Sequence, residues 1–87
     1  MSSVEGDDWR LQGQERYLQG VTLRCMTWRP SHSGNDHDHC EFCARKFASP
    51  QVSDSIQEGY CTPDSYRWVC PECFQDFRER FRWALVQ

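Results

Sequence analysis

Six cysteines are present in this 87-residue chain, and four of them form two matched pairs. Cys40-Glu41-Phe42-Cys43 is one Cys-x-x-Cys unit and Cys70-Pro71-Glu72-Cys73 is the other, with residues 44–69 between them. A two-residue gap lets the backbone fold back so that both sulfurs of a pair reach one point in space. Two such pairs supply the four thiolates that Zn²⁺ takes in a tetrahedral structural site, each Zn–S bond being about 2.3 Å. Four sulfur ligands leave no coordination position open. The role expected of Cys40, Cys43, Cys70 and Cys73 is therefore to hold one structural Zn²⁺, not to activate a substrate. The second pair also falls where a helix should begin. Pro71 suits a first helical turn, and the free N–H groups and positive dipole end at such a start favour thiolates.

Neighbouring groups offer alternatives. His37 and His39 flank the first pair and could replace a thiolate, or form a second, labile metal site with Asp36 and Asp38. Against this, four cysteines already meet the usual demand of zinc. A solvated loop, or a hydrogen bond from a histidine to a metal-bound sulfur, accounts for both residues without a ligand role. His32 has no partner in view and is expected to be exposed. Cys25 and Cys61 lack a Cys-x-x-Cys partner and are expected to be small buried residues, with Cys61 also a competing ligand. Either Cys-x-x-Cys could instead be a redox dithiol, Cys70-Pro71-Glu72-Cys73 at a helix start most resembling one, but that would need a βαβ scaffold, which the pattern lacks.

The elements that must position these thiols can be read from periodicity. Val21 to Trp28 alternates with period two and predicts a strand over about residues 20–28, with Val21, Leu23 and Cys25 on one face, ended by Pro30. Residues 31–39 form a polar loop, and residues 48–59 a connection with a short helical turn around Val52 to Gln57. Tyr60–Thr62 and Tyr66–Val69 are β-prone and flank Thr62-Pro63-Asp64-Ser65, which has turn chemistry; a hairpin is expected. From Pro71 to about Trp83 the chain predicts its best helix, acidic early at Glu72 and Asp76 and basic late at Arg78, Arg80 and Arg82. Phe74, Phe77, Phe81 and Leu85 make its apolar stripe. Gly13 and Gly20 limit any helix between Trp9 and Gln19, and the acidic residues 1–8 are expected to be disordered. The sum is a single α+β domain over residues 1–87: a small antiparallel sheet from the strand and the hairpin, with the helix packed on it.

Bulk properties narrow the function. A chain of this size has a marginal core, and a metal is a common remedy. The formal charge is −3; four thiolates and one Zn²⁺ add −4 + 2 = −2, giving −5. An acidic domain is a poor general binder of nucleic acid. Arg78, Arg80, Arg82 and the Arg45-Lys46 pair are the residues a phosphate-binding reading would use, but Glu79 and aromatics interleave the helical set. Trp83 lies off the Phe stripe, to pack on the N-terminal segment or to anchor a partner. The N-terminus has neither a basic leader nor an apolar run, and no segment approaches membrane length; a cytoplasmic chain is expected. Thiols stay reduced there, which favours metal over disulfide. No Gly-rich phosphate loop occurs, and no set of Ser, His and Asp has a scaffold to align it. The expectation is a non-enzymatic, zinc-stabilised module that binds another protein. A nucleic-acid-binding finger and a zinc- or redox-responsive protein are the alternatives.

A knuckle at Cys40–Cys43, a hairpin over Tyr60–Val69 and a helix opening with Cys70-Pro71-Glu72-Cys73-Phe74 resemble a treble-clef zinc finger. His37-Asp38-His39-Cys40-Glu41-Phe42-Cys43, Gly59-Tyr60 and Tyr66-Arg67-Trp68-Val69-Cys70 also resemble a family of small uncharacterised bacterial zinc-binding proteins. The resemblance covers residues 37–83 and implies a fold in which zinc joins the knuckle to the helix. It is specific for metal and fold and not for function. One departure is Ala44, which stands where such knuckles commonly carry Gly.

Overall fold

The period-two stretch becomes β1, Thr22–Thr27, in a computed structural model that describes residues 9–30 and 33–86. Residues 1–8 and His32, whose states were expected above, lie outside the described residues. β1 is central in a four-stranded sheet. On one side it pairs antiparallel with β5, Glu58–Cys61, which pairs antiparallel with β6, Trp68–Val69. This is the expected hairpin; Thr62–Arg67 closes it, with the Thr62 N–H on the Arg67 carbonyl and the Asp64 carboxylate accepting from the Tyr66 N–H.

On its other side β1 meets β7, Ala84–Val86, and that pairing is parallel. The sheet is therefore mixed, and Leu85 belongs to a strand, not to the helical stripe. The reason lies at Arg82. Helix α2 runs over Pro71–Phe81 and ends there because Arg82 takes a left-handed conformation, φ 56°, with its N–H on the carbonyls of Arg78 and Glu79. The chain then turns back beside β1 and sets Leu85 opposite Leu23.

The faces of this sheet have different partners. Tyr60 stacks on Phe74 of α2 with ring centroids 3.7 Å apart. By register, Val69 lies on the same face as Tyr60. On the opposite face Trp68 packs against Phe47, with centroids 5.0 Å apart. Phe47 belongs to a second small sheet, ordered β2 (Asp38–His39), β3 (Lys46–Phe47), β4 (Ser55–Ile56). Gly59 permits this approach: a Cβ there would lie 2.5 Å from the Phe47 ring and 2.9 Å from the Val69 carbonyl oxygen.

Two local expectations are corrected. No helical turn forms around Val52–Gln57. The Ser55 hydroxyl donates to the Val52 carbonyl, Asp54 sits at φ 59°, and the chain passes through turns into β4. Short polar side chains compete with a helix in this way. Cys25 is exposed, not buried, although Leu23 on the same strand face is fully buried. The layer covering β1 ends short of Cys25, so alternation alone overstates its burial.

That covering layer includes the N-terminal segment. Gly13 and Gly20 bracket one helical turn, α1, Glu15–Leu18. Leu18 enters the core with Leu23, Phe42, Phe74, Phe77, Phe81 and Trp83. Trp83 packs on this segment: its indole N–H donates to the Leu18 carbonyl at 2.8 Å, while the Gly20 N–H donates to the Phe81 carbonyl. Among the described residues no helix is long and apolar enough to cross a membrane.

Candidate metal centre

The first cysteine pair is shaped by a tight reversal. The Cys40 N–H donates to the Arg45 carbonyl at 2.8 Å, and the Ala44 N–H returns to the Cys40 carbonyl at 3.1 Å. Closing so short a loop puts Ala44 at φ 66°, a left-handed conformation that costs an L-residue roughly 1–2 kcal/mol. The knuckle is tied to the hairpin, because Cys40 bridges Trp68 and the Glu41 N–H donates to the Trp68 carbonyl at 2.8 Å. The second pair follows directly from β6. Cys70, extended at φ −71° and ψ 159°, is the N-cap of α2, and Pro71 begins the helix. Cys73 then lies in its first turn. The N-cap role usually taken by a Ser or Asp oxygen is filled by the Cys70 sulfur, which accepts from the Cys73 N–H at 3.5 Å.

These elements bring Cys40, Cys43, Cys70 and Cys73 together, with all four sulfurs within 4.8 Å of one another. The Cys43 and Cys70 sulfurs are 3.6 Å apart. A tetrahedron of sulfurs about 2.3 Å from a central Zn²⁺ has edges of about 3.8 Å, so the donor set and its spacing fit such an ion. Cys40, Cys70 and Cys73 are buried and Cys43 is half-buried. The four cysteines could hold a metal ion, and they are the one group of three or more His, Cys, Asp or Glu side chains among the described residues placed to do so.

Hydrogen bonds already point at the sulfurs. Cys40 Sγ accepts the N–H groups of Phe42 at 3.4 Å and Cys70 at 3.3 Å. Cys73 Sγ accepts Arg10 Nη1 at 3.5 Å. Without metal, the thiols of Cys40, Cys70 and Cys73 share charge unequally. Hydrogen bonds from the Cys70 and Cys73 thiols hold Cys40 far below the ordinary thiol range, and backbone N–H groups of Cys43 and Cys70 add to this. The reverse applies to the donors. Cys70 is pushed up to about 11, chiefly by its bond to Cys40. Cys73 is pushed up further by its bonds to Cys40 and Cys70 and by burial. A divalent cation held by Cys40, Cys43, Cys70 and Cys73 would resolve this competition, because each sulfur could then face it as a thiolate.

The other sequence candidates lie apart from this cluster. His37 and His39 stack edge to face with centroids 4.8 Å apart, and His37 Nδ1 meets the Asp36 carboxylate at 2.6 Å, all three residues being exposed and His39 lying in β2. Cys61 is buried on the far side of the hairpin, its thiol 3.5 Å from Met26 Sδ and pushed up by burial. Arg78 lies over Phe74, 4.9 Å from the ring centroid, on the solvent side of α2.

Two residues that spacing did not reveal touch the site. Arg10 reaches Cys73, and Gln14, buried at 3% exposure, donates to the knuckle carbonyl of Glu41 at 3.0 Å. Their only sequence signal was a glutamine and an arginine among residues that read as mixed. A scan against protein-family models finds no matching model, and searches of curated proteins and of solved structures find no match.

Proposed function

We propose that this chain is a non-catalytic module in which one structural Zn²⁺ joins a treble-clef-like knuckle to its final helix, and that its task is to bind another protein. The observation that carries the metal reading is the four-sulfur cluster assembled from the knuckle and the start of α2. Zinc would be held by Cys40, Cys43, Cys70 and Cys73 and would supply a crosslink between segments distant in sequence. Four ligands from the chain leave no position for substrate. The order of knuckle, hairpin β5–β6 and helix bearing the second ligand pair supports the treble-clef reading.

The protein-binding reading rests on the surface. Tyr66 is 68% exposed, and Arg67 lies between it and Tyr17, with the guanidinium 5.0 Å and 3.9 Å from the two ring centroids. Glu41 pairs with Arg67 at 3.5 Å and fixes the group. Tyr and Arg held in place by stacking are the residue types that dominate binding energy at protein interfaces.

Metal content of the purified protein is the direct test. One zinc per chain is expected, lost on Cys→Ser change at Cys40, Cys43, Cys70 or Cys73 and kept on change at Cys25 or Cys61. Full loss at Cys61→Ser would replace this ligand set. For the surface, Tyr66→Ala with Arg67→Ala should abolish recovery of a defined partner without altering zinc content. Retention on DNA or RNA that weakens steeply with salt would instead favour the Arg-bearing helix and a nucleic-acid function.

A further inference from the structure

We propose that Arg10 is a metal-retention residue, and that the N-terminal segment carrying it is a strap over the zinc centre. This rests on the zinc reading above.

Zn²⁺ with four thiolates carries a net charge of −4 + 2 = −2, and the site is largely buried. Such a centre needs donors and positive charge nearby, and outer partners of this kind commonly change metal affinity by about 10–100-fold. Backbone N–H groups serve Cys40 and Cys70. Cys73 is served by a side chain from far away in sequence, Arg10 Nη1 at 3.5 Å.

The placement of Arg10 is built. Its Nη1 also donates to Asp76 Oδ2 at 3.0 Å, so the two N–H groups of one nitrogen divide between sulfur and carboxylate. Its guanidinium lies over the Phe77 ring, 4.5 Å from the centroid. Cys73, Asp76 and Phe77 stand one turn apart on α2, so a single helix face holds all three contacts. The backbone of Arg10 is fixed as well. Gln14 Nε2 donates to the Arg10 carbonyl at 2.8 Å and to the Glu41 carbonyl at 3.0 Å, and Gln14 Oε1 accepts the Gln12 N–H at 2.6 Å. One buried amide thus ties the strap to the knuckle on one side of the cluster while Arg10 ties it to the helix on the other.

Zinc transfer to an excess of a colorimetric chelator tests this on the full-length, zinc-loaded protein. Arg10→Met keeps the apolar stem on Phe77 and removes the charge and the N–H donors. We expect it to release zinc about tenfold faster than the unaltered chain, with Arg10→Lys within about threefold. Asp76→Asn breaks only the exposed ion pair and should also stay within about threefold. In the cobalt-substituted protein, Arg10→Met should move the thiolate-to-cobalt charge-transfer band to lower energy, because a sulfur that loses a hydrogen bond is a better electron donor. Should Arg10→Met fail to fold, Arg10→Gln carries the same measurements, with a smaller shift in the same direction. Unchanged release and an unchanged cobalt band would overturn the role of Arg10 while leaving the zinc site standing. Equal acceleration by Asp76→Asn and Arg10→Met would overturn it too, reducing the contact to a surface ion pair. A protein that takes up neither zinc nor cobalt would remove both readings together.

Discussion

The two ends of α2 are held by different means. At its start, Cys70 and Cys73 enter the four-sulfur cluster, through which a metal ion could join the helix to the knuckle. At its end, Arg82 turns the chain, Trp83 bonds to the Leu18 carbonyl, and β7 pairs with β1, all without a metal. Side-chain packing can be lost in parts. A metal ligand set cannot, because a three-sulfur remnant has both a vacant position and an uncompensated neighbour. The difference predicts unequal consequences for changes of similar size.

Metal removal should have the largest effect. Structural zinc contributes about 10–16 kcal/mol near neutral pH, comparable to the whole stability of a small domain, about 5–15 kcal/mol. Strong chelation, or Cys70→Ser, is expected to unfold much of the chain, seen as loss of the cooperative thermal transition. A transition unchanged after the metal is shown to be gone would mean that the helix start is held by packing, as its end is.

Trp83→Ala comes next, at about 3–5 kcal/mol for a buried aromatic ring. Trp83 is 8% exposed and touches Phe42, Phe74 and Phe81, so its loss opens the core beneath α2. The variant should still bind one zinc and still melt cooperatively at lower denaturant. Failure to bind zinc would show that the two ends of the helix are a single unit.

Gln14→Leu probes the strap at intermediate cost. The change leaves the Arg10 and Glu41 carbonyls and the Gln12 N–H without the amide that they bond. A buried polar group stranded in this way costs about 1–3 kcal/mol. A denaturation midpoint within error of the unaltered protein would show that water replaces the amide there and that the strap is loosely held.

The contrast between the ends also explains what could be read from the sequence. The cysteine cluster was legible because a metal site would impose type and spacing: Cys40, Cys43, Cys70 and Cys73 stand in two Cys-x-x-Cys units that the fold brings together, and Pro71 marks the helix start. The hairpin was legible from Thr62-Pro63-Asp64-Ser65. The far end was not. Leu85 fits helical spacing as well as it fits a strand, and the choice is made by the turn at Arg82, where no glycine advertises a left-handed residue. Cys25 alternates correctly with Leu23, yet its burial depends on how far the covering layer extends. Arg10 and Gln14 act on the site through tertiary contact alone, and tertiary contact has no period. The second sheet is built from two-residue strands, too short to show one.

The smallest predicted effect bears on both regions at once, because each contains a non-glycine residue in the left-handed conformation: Ala44 in the knuckle at φ 66° and Arg82 after the helix at φ 56°. Glycine removes the strain of roughly 1–2 kcal/mol but makes the unfolded chain more flexible, at about 0.5–1 kcal/mol. Ala44→Gly loses only a methyl group, so a net gain of about 0.5–1 kcal/mol remains, enough to raise the melting temperature of the zinc-loaded protein by several degrees. Arg82 is exposed, so Arg82→Gly should gain by a similar or smaller amount. A fall in melting temperature for Ala44→Gly would mean that the knuckle loop does not hold this conformation in solution, and the tight reversal that brings Cys40 and Cys43 to one point would have to be described differently.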